Sequence, residues 1–364
     1  MGWKGNIIDM PLGLAARVIA LRNGPMPKAP SIFVLRNNDI GDLLVTTPLF
    51  EALARRFPDS EIVAGVGRWN FPVLENNPFV TDIVEVNAPW NNKNVPGQEW
   101  GNVIRYIARS PEITHLAARH FDIGIDVLGS HVGSALLMRL GIPYRLGVRG
   151  YRGGHTAAEQ FVQYNPAEHV GRSALRFAEL LGATELPENR PQLFLSEEER
   201  SAGESRWPGR AGGRIRITLG IGGGFREKCW PTQSFANLLD LLREHPTIDI
   251  ALVGGVGDRS IGAALAVGRP DVHDLSGILS LRETFALTSA SDAVVSNPSM
   301  LMHVAAAFRK PTVVVLGPYF PSAIEHDAQW GYPGTCRSLG SDSRGGTASP
   351  SFAFDTLASL IRMK

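Results

Sequence analysis

Residues 36–42, with the sequence Arg-Asn-Asn-Asp-Ile-Gly-Asp, place several polar side chains between two apolar stretches. Gly41 permits a tight turn, and Asp42 stands just before a predicted helix. The Asp42 carboxylate therefore either caps the exposed N–H groups of that helix or points into a cleft. Taken alone, the pattern favours capping. Arg36 either binds an anionic acceptor or is a solvated loop arginine.

A second segment combines glycines with positive charge. Gly222, Gly223 and Gly224 leave backbone N–H groups uncovered by side chains, and Arg226 and Lys228 follow just before another predicted helix. N–H groups near a helix start, together with cations, are suited to binding a phosphate or another anion. The alternative is a flexible glycine turn with two solvated cations.

Both segments follow the first strand of a series in which strands and helices alternate. Short apolar runs predict buried parallel strands, and apolar residues at helical spacing predict the helices between them. In open α/β sheets, ligands bind beyond the carboxyl ends of the strands, which is where both segments are expected. The predicted strands cover residues 32–35, 61–66, 82–86 and 121–127 in the first series, and 214–219, 248–253, 293–295 and 312–316 in the second.

The length of 364 residues corresponds to two domains at about 150 residues each. Between them the periodicity fades into a stretch with several prolines and a Gly-Gly pair. We therefore predict an N-terminal extension over residues 1–30, an α/β domain over 31–183, a linker region over 184–213, and a second α/β domain over 214–364 that ends in a helix.

No run of residues approaches the roughly 18 apolar residues that a membrane span requires. The most apolar candidate, residues 7–21, contains Asp9, Pro11 and Arg17. Its helical spacing predicts an amphipathic helix with basic residues at its edges. This helix either lies on a membrane surface, packs on the first domain, or is a frayed terminus. One apolar face of the predicted helix carries Ile8, Leu12, Ala15 and Ile19.

The composition excludes several classes of protein. A hydrophobic fraction of 44% and a formal charge of +1 exclude a disordered chain and one that binds nucleic acid through its overall charge. Cys229 and Cys336 provide neither a disulfide framework nor a cysteine zinc site, and the nine histidines include no His-Glu-x-x-His pair. We therefore expect a reducing cytoplasm and chemistry that needs no metal.

Four stretches in register resemble the heptosyltransferases of glycosyltransferase family 9, which act in bacterial lipopolysaccharide assembly. The resemblance implies an α/β fold of the GT-B type, with two Rossmann-like domains whose parallel sheets face a central cleft. It also implies that residues 31–183 bind the acceptor and residues 214–364 the nucleotide-sugar. The stretches are FVLRNNDIGDLLVTTP at 33–48, KCWP at 228–231, LVGGVGD at 252–258, and VVSNPSMLMHVAAA at 294–307 followed by Gly317-Pro318.

The resemblance also implies a reaction and the residues that carry it out. It implies an inverting, metal-independent transfer of a heptose or related sugar from a nucleoside diphosphate, ADP in the leading interpretation, to a lipopolysaccharide core or other surface glycan. Asp42 matches the family's general base, and Lys228 the lysine beside the donor phosphates. The remaining predicted contacts are Gly222, Gly223, Gly224, Arg226 and Ser299 for the donor phosphates, Asp258 for the donor nucleoside, and Arg36 and Asn38 for the acceptor.

For Asp258, capping of its own glycine turn is an equal alternative to binding a ribose hydroxyl. Trp230 is expected to anchor its helix in the core, and His303 to be a hydrogen-bonded structural residue. The expected ligands are the nucleotide-sugar, with ADP-heptose as co-substrate and no further cofactor, and a lipid-linked or surface-glycan acceptor. The expected location is the cytoplasm, with transient contact at the inner face of the cytoplasmic membrane as an open alternative.

One stretch departs from the family pattern. Many members carry Asn-Asp-Ser-Gly where this chain has Asn297-Pro298-Ser299-Met300, so a carboxylate close to the donor sugar is lost. The donor identity is therefore open, and a non-catalytic nucleotide- or glycan-binding relative is the alternative function. A nicotinamide-dependent oxidoreductase is disfavoured, because no Gly-x-Gly-x-x-Gly follows the first strand.

Overall fold

The chain divides into two compact units, Met1–Asn189 and Arg190–Lys364. The division falls inside the predicted linker region 184–213. Part of that region is a helix at Glu197–Ser205, which starts with a capping box between Ser196 and Glu199. The computed structural model describes residues 3–20, 26–207, 213–340 and 346–362. Within the first helix, side chains are described for residues 9–17.

The strands of the described stretches form two parallel sheets, one in each unit, and the predicted strands are confirmed to within a few residues. The strands of unit 1 are β1 (Ile32–Leu35), β2 (Ile62–Val66), β3 (Asp82–Glu85), β4 (Ile123–Asp126), β5 (Tyr144–Arg149) and β6 (Gln160–Gln163). Those of unit 2 are β7 (Ile215–Gly220), β8 (Ile248–Val253), β9 (Val272–Asp274), β10 (Ala293–Ser296), β11 (Thr312–Val315) and β12 (Cys336–Leu339).

Helices connect the strands. In unit 1 they are α1 (Trp3–Ala20), α2 (Ile40–Leu44), α3 (Pro48–Arg56), α4 (Phe71–Leu74), α5 (Trp100–Arg109), α6 (Pro111–Ala117), α7 (His131–Arg139) and α8 (Val170–Leu180). In unit 2 they are α9 (Glu197–Ser205), α10 (Thr232–Arg243), α11 (Arg259–Ala266), α12 (Leu281–Ser289), α13 (Met300–Ala307), α14 (Ala323–Trp330) and α15 (Pro350–Ile361). Short 3₁₀ turns lie at Arg68–Asn70, His155–Ala157, Arg226–Lys228 and Val256–Asp258.

The two sheets share one topology. The first has the strand order β3-β2-β1-β4-β5-β6, and the second has β12-β11-β10-β7-β8-β9. Counted from the first strand of each unit, both orders are 3-2-1-4-5-6, read in opposite directions. This is the Rossmann order, in which the chain leaves the central strand to one side and later crosses to the other. The crossover points lie between β1 and β4 and between β7 and β10.

Burial explains why the strands at the centre of each sheet were predictable from the sequence. Every residue of β1 and of β8 is buried, as expected for parallel strands covered on both faces. β5, which carries Arg145 among its buried residues, was not predicted from the sequence. That guanidinium can be buried because it pairs with Glu159 at 2.7 Å. β6, β9 and β12, which are short and only partly buried, were not predicted either.

Helix α1 packs on the rest of unit 1. Asp9 accepts hydrogen bonds from the Gly154 N–H at 3.0 Å and from the Thr156 hydroxyl at 3.2 Å. Arg145 donates to the carbonyl oxygen of Ala16 at 3.3 Å, and the Ala16 side chain is buried. Polar contacts therefore hold the predicted helix at Asp9 and at Ala16, near the two ends of the segment 9–17 whose side chains are described. None of the helices in the described part of the chain is both long enough and apolar enough to span a membrane.

Candidate active site

The two predicted loops begin at the carboxyl ends of β1 and β7, beside the crossover point of each sheet. At such a point the neighbouring connections diverge to opposite faces of the sheet and leave a crevice beyond the strand ends. Leu35 pairs in register with Asp126 of β4, and Gly220 pairs with Ser296 of β10. Each unit therefore presents two loops at its crossover point.

In unit 1, Asp42 does not cap its helix. It lies in the first turn of α2, whose N-cap residue is Asp39, and no side-chain capping bond forms there. The Asp42 Oδ1 atom lies 3.4 Å from Nη2 of Arg36, and the Asp42 side chain is 34% exposed. The expectation of capping is wrong. Within the described residues, the second carboxylate oxygen, Oδ2, accepts no hydrogen bond.

Arg36 is not a solvated loop arginine, because its side chain is only 5% exposed. Its Nε atom donates to the Asp42 carbonyl oxygen at 3.2 Å, and its Nη2 atom donates to the carboxylate. One guanidinium thus contacts both the backbone and the side chain of Asp42. Such a pair of bonds fixes the direction of the carboxylate.

Asp126 lies at the end of β4 and is buried. Burial raises the pKa of Asp126 to about 6, although N–H groups of the following turn and the positive charge of Arg36 oppose the rise. The Ser130 N–H donates to its Oδ2 atom at 2.8 Å. Asp126 was not predicted as a site residue from the sequence. An acidic residue at the carboxyl end of an otherwise apolar predicted strand was the available signal.

The structure does not bring Asn38 into contact with Asp42. Asn38 is buried, and its Nδ2 atom donates to the Asn91 carbonyl oxygen at 2.7 Å. The backbone carbonyl oxygen of Asn38 accepts from Trp69 Nε1 and Asn70 Nδ2, both at 2.9 Å. Asn38 therefore fixes the loop after β1 to the loops after β2 and β3.

In unit 2, the glycine loop after β7 offers unused donors. The N–H groups of residues 222–225 donate no hydrogen bond within the described part of the chain, whereas the preceding Ile221 N–H bonds to Val253 at 3.0 Å. Gly223, Gly224 and Phe225 are exposed. A Cβ atom at Gly224 would meet nothing within 4 Å. These four consecutive N–H groups have no partner in the described structure and can donate to an anion.

Asn297, at the end of β10, holds this loop in place. It is fully buried, and its Nδ2 atom donates to the carbonyl oxygens of Ile221 at 2.9 Å and Gly222 at 3.2 Å. Its Oδ1 atom accepts from the Trp230 N–H at 2.8 Å. One amide thus joins the glycine loop to the Lys-Cys-Trp-Pro turn. Asn297 lies within a family-like motif, but its role was not predicted from the sequence.

Lys228 ends the 3₁₀ turn that follows the glycine loop. Its Nζ atom lies 4.7 Å from the ring centroid of Phe225, 5.5 Å from that of Tyr319 and 5.7 Å from that of Phe320. The turn is fixed from the other side by the loop after β11, because the Gly317 N–H donates to the Lys228 carbonyl oxygen at 3.1 Å. Arg226, in the same turn, is exposed.

Three other predicted residues have structural contacts. Asp258 Oδ2 accepts from the Gly255 N–H at 2.8 Å, so the turn-capping interaction is present, and the ribose contact stays a prediction. Ser299 is the N-cap residue of α13 without a capping bond, and its Oγ atom lies 3.3 Å from Oγ of Ser296. His303 is buried beside the Tyr332 hydroxyl at 2.6 Å, as expected of a structural histidine.

Trp230 has the anchoring role that the sequence predicts. Its side chain is buried in the core of unit 2, and its indole N–H donates to the Ala348 carbonyl oxygen at 3.0 Å.

His326, which contacts the ring of Phe320, is also buried. Burial and the nearby charge of Lys228 lower the pKa of His326 to about 4, so this imidazole is neutral at pH 7. Across the described stretches, no group of three or more His, Cys, Asp or Glu side chains could hold a metal ion.

The model of glycosyltransferase family 9, described as heptosyltransferase, matches residues 113–330, which is more than half of the chain. The chain belongs to glycosyltransferase family 9. This glycosyltransferase is 26% identical over 309 residues to lipopolysaccharide heptosyltransferase 2 of Escherichia coli strain K12, a match that covers 80% of this chain and 83% of the relative.

Solved structures give the fold of this family 9 glycosyltransferase. A family 9 glycosyltransferase from Veillonella parvula DSM 2008 superposes with a TM-score of 0.77 at 19% identity, covering 94% of this chain and 100% of that one. The E. coli heptosyltransferase WaaC with ADP superposes with a TM-score of 0.69 at 17% identity, covering 91% and 99%. The predicted GT-B fold of two Rossmann-like domains is confirmed.

Proposed function

We propose that this family 9 glycosyltransferase transfers a heptose or a related sugar from a nucleoside diphosphate, with ADP as the leading candidate, to a lipopolysaccharide core or other surface-glycan acceptor. The observation that carries the proposal is the row of unused N–H groups at residues 222–225 with Lys228 fixed just after it. The similarity to a lipopolysaccharide heptosyltransferase supports the choice of sugar and acceptor.

Departure of the nucleoside diphosphate is the step that needs this loop. As the bond between the anomeric carbon and the phosphate oxygen breaks, negative charge builds up on the leaving diphosphate. The N–H groups of Gly222, Gly223 and Gly224 can donate to phosphate oxygens, and the Lys228 ammonium can neutralise charge. We assign Arg226, Ser299 and Asp258 to the same donor, with the last at the ribose. In this proposal these groups stabilise the leaving group without a divalent ion.

Attack by the acceptor hydroxyl is the second half of the reaction. Its oxygen forms a bond to the anomeric carbon on the face opposite the leaving group, which inverts the configuration, and its proton must pass to a base. Asp42 is our candidate, because its side chain is partly exposed and its Oδ2 atom is free of hydrogen bonds within the described residues. Arg36 holds the other oxygen, so it serves the acceptor site by orienting Asp42. Asn38 serves the acceptor site by fixing the loop after β1.

We further propose transient contact with the inner face of the cytoplasmic membrane, where a lipid-linked acceptor would lie. Helix α1 is fastened to unit 1, yet Met10 is 72% and Leu14 57% exposed, one helical turn apart. Arg17, also exposed, lies near the same stripe. Flotation with anionic liposomes tests this: Met10→Ser with Leu14→Ser should lose binding, while Ile324→Ser, at an even more exposed apolar residue of unit 2, should keep it.

A non-catalytic binding protein is the second candidate, because Pro298 and Met300 replace residues of the usual family motif. Mass spectrometry of the native protein would name any nucleotide-sugar that it retains. Release of nucleoside diphosphate only when a glycan acceptor is present would establish transfer. Calorimetric binding of nucleotide-sugars without turnover on any lipopolysaccharide-core acceptor would favour the binding protein instead.

A further inference from the structure

Three aromatic rings surround the ammonium group of Lys228, and we call Phe225, Tyr319 and Phe320 the aromatic clamp. Their ring centroids lie 4.7, 5.5 and 5.7 Å from Nζ. The rings also contact one another edge to face, Phe225 with Tyr319 at 5.0 Å and Tyr319 with Phe320 at 5.2 Å. These distances are within the range of cation–π attraction.

Two loops that are distant in sequence build the clamp. The Tyr319 N–H donates to the Glu227 carbonyl oxygen at 3.1 Å, which ties the loop after β11 to the lysine turn. Gly317 lies so close to residues 227–229 that a Cβ atom there would be 2.6 Å from their backbone atoms. The backbone of the two loops therefore holds Phe225 and Tyr319 beside Lys228, and Phe320 also packs against the buried cluster of unit 2 that includes Tyr332.

The exposure of Phe225 and Tyr319 argues against a main role in folding. Tyr319 is 58% exposed and Phe225 is 42% exposed, so neither ring is buried in a core. An exposed ring over a cation instead fixes the position of that cation. Its quadrupole attracts the ammonium without adding a formal negative charge, so the ring can hold the lysine without competing with a phosphate for it.

We propose that Phe225 and Tyr319 are positioning residues, which hold the Lys228 ammonium at the glycine loop so that it meets the donor diphosphate. This inference rests on the proposed function, because it assigns the diphosphate to that loop. It goes further in making an exposed aromatic pair a determinant of donor affinity. Direct stacking of the rings on the nucleotide-sugar is a different mechanism, and it predicts that the rings would matter even without the lysine.

A double-mutant cycle separates these mechanisms, with ADP as the probe and calorimetry as the readout. We expect Tyr319→Leu or Phe225→Leu alone to weaken ADP binding by roughly two- to fivefold, and the two together by about tenfold. Tyr319→Phe keeps the ring and should restore most of the affinity. In a Lys228→Met background the leucine variants should have no further effect. Phe352→Leu, at another exposed phenylalanine of unit 2, is the matched control.

Thermal unfolding of each variant checks that the fold is intact, and both rings are exposed enough that we expect no change. The inference is overturned if wild-type protein and Lys228→Met differ in ADP affinity but the Phe225 and Tyr319 double variant matches wild type. It is also overturned if the leucine variants weaken binding equally with and without the lysine. If wild-type protein binds none of ADP, UDP, GDP or CDP, the proposed function fails together with the inference.

Discussion

Replacing Asn297 by alanine should weaken both the fold of unit 2 and the binding of the donor. The substitution removes three buried hydrogen bonds, to the carbonyl oxygens of Ile221 and Gly222 and from the Trp230 N–H. A typical buried hydrogen bond contributes about 0.5–1.5 kcal/mol net, and a buried N–H left without a partner costs about 1–3 kcal/mol. We expect a loss of about 2–4 kcal/mol in the free energy of unfolding.

Urea unfolding followed by circular dichroism measures this change, and calorimetry with ADP measures its consequence for the loop. Asn237→Ala is the control, because this asparagine is exposed on α10 and its Oδ1 atom accepts only from Gln233 in the described structure. The control should stay within about 0.5 kcal/mol of wild type. An Asn297→Ala protein that unfolds at the wild-type urea concentration and binds ADP normally would refute the argument that this amide supports the donor loop.

Three further predictions follow from single contacts. Burial raises the pKa of Asp126 from its ordinary 3.8 to about 6, so the folded state binds a proton more tightly and this group destabilises the fold as pH rises from about 4 to 6. Asp126→Asn should therefore gain up to about 3 kcal/mol relative to wild type between pH 4 and pH 7 in denaturant titrations, and a pH-independent difference would contradict this. Gly317→Ala should displace the lysine turn and reduce ADP affinity in calorimetry, whereas Gly257→Ala, where a Cβ atom meets nothing within 4 Å, should not. Asp9→Ala removes the bonds to unit 1 and should increase amide hydrogen exchange in α1, and unchanged exchange would show that other contacts hold the helix.

The sequence predicted the fold well where burial alone determines an element. The strands β1 and β2 are apolar runs whose type and bounds could be predicted to within a residue, because a parallel strand with two covered faces admits little else. β5 could not, since its buried Arg145 is acceptable only with Glu159 as partner. That pairing joins residues 14 positions apart and leaves no periodic signal in the sequence.

The site was predictable as a set of loops but not as a set of contacts. The glycine loop and Lys228 follow from local residue types, so their chemistry could be inferred. The role of Arg36 depends on its burial beside Asp42, where a solvated arginine was the alternative interpretation of the sequence. The partners of Asn297 lie 67, 75 and 76 positions away from it in the sequence. Its role in holding the glycine loop therefore became visible only in the tertiary structure.

The turnover of Asp42→Asn tests the central claim most directly. Asparagine keeps the size of the side chain and can still bond to Arg36 through its carbonyl oxygen, but it cannot accept the acceptor's proton. We predict that kcat, measured as release of nucleoside diphosphate in the presence of acceptor, falls by about 10²- to 10⁴-fold. We also predict that donor affinity is unchanged and that Asp59→Asn, at an exposed carboxylate of unit 1, has the wild-type rate. Full turnover by Asp42→Asn would contradict the assignment of this carboxylate as the base.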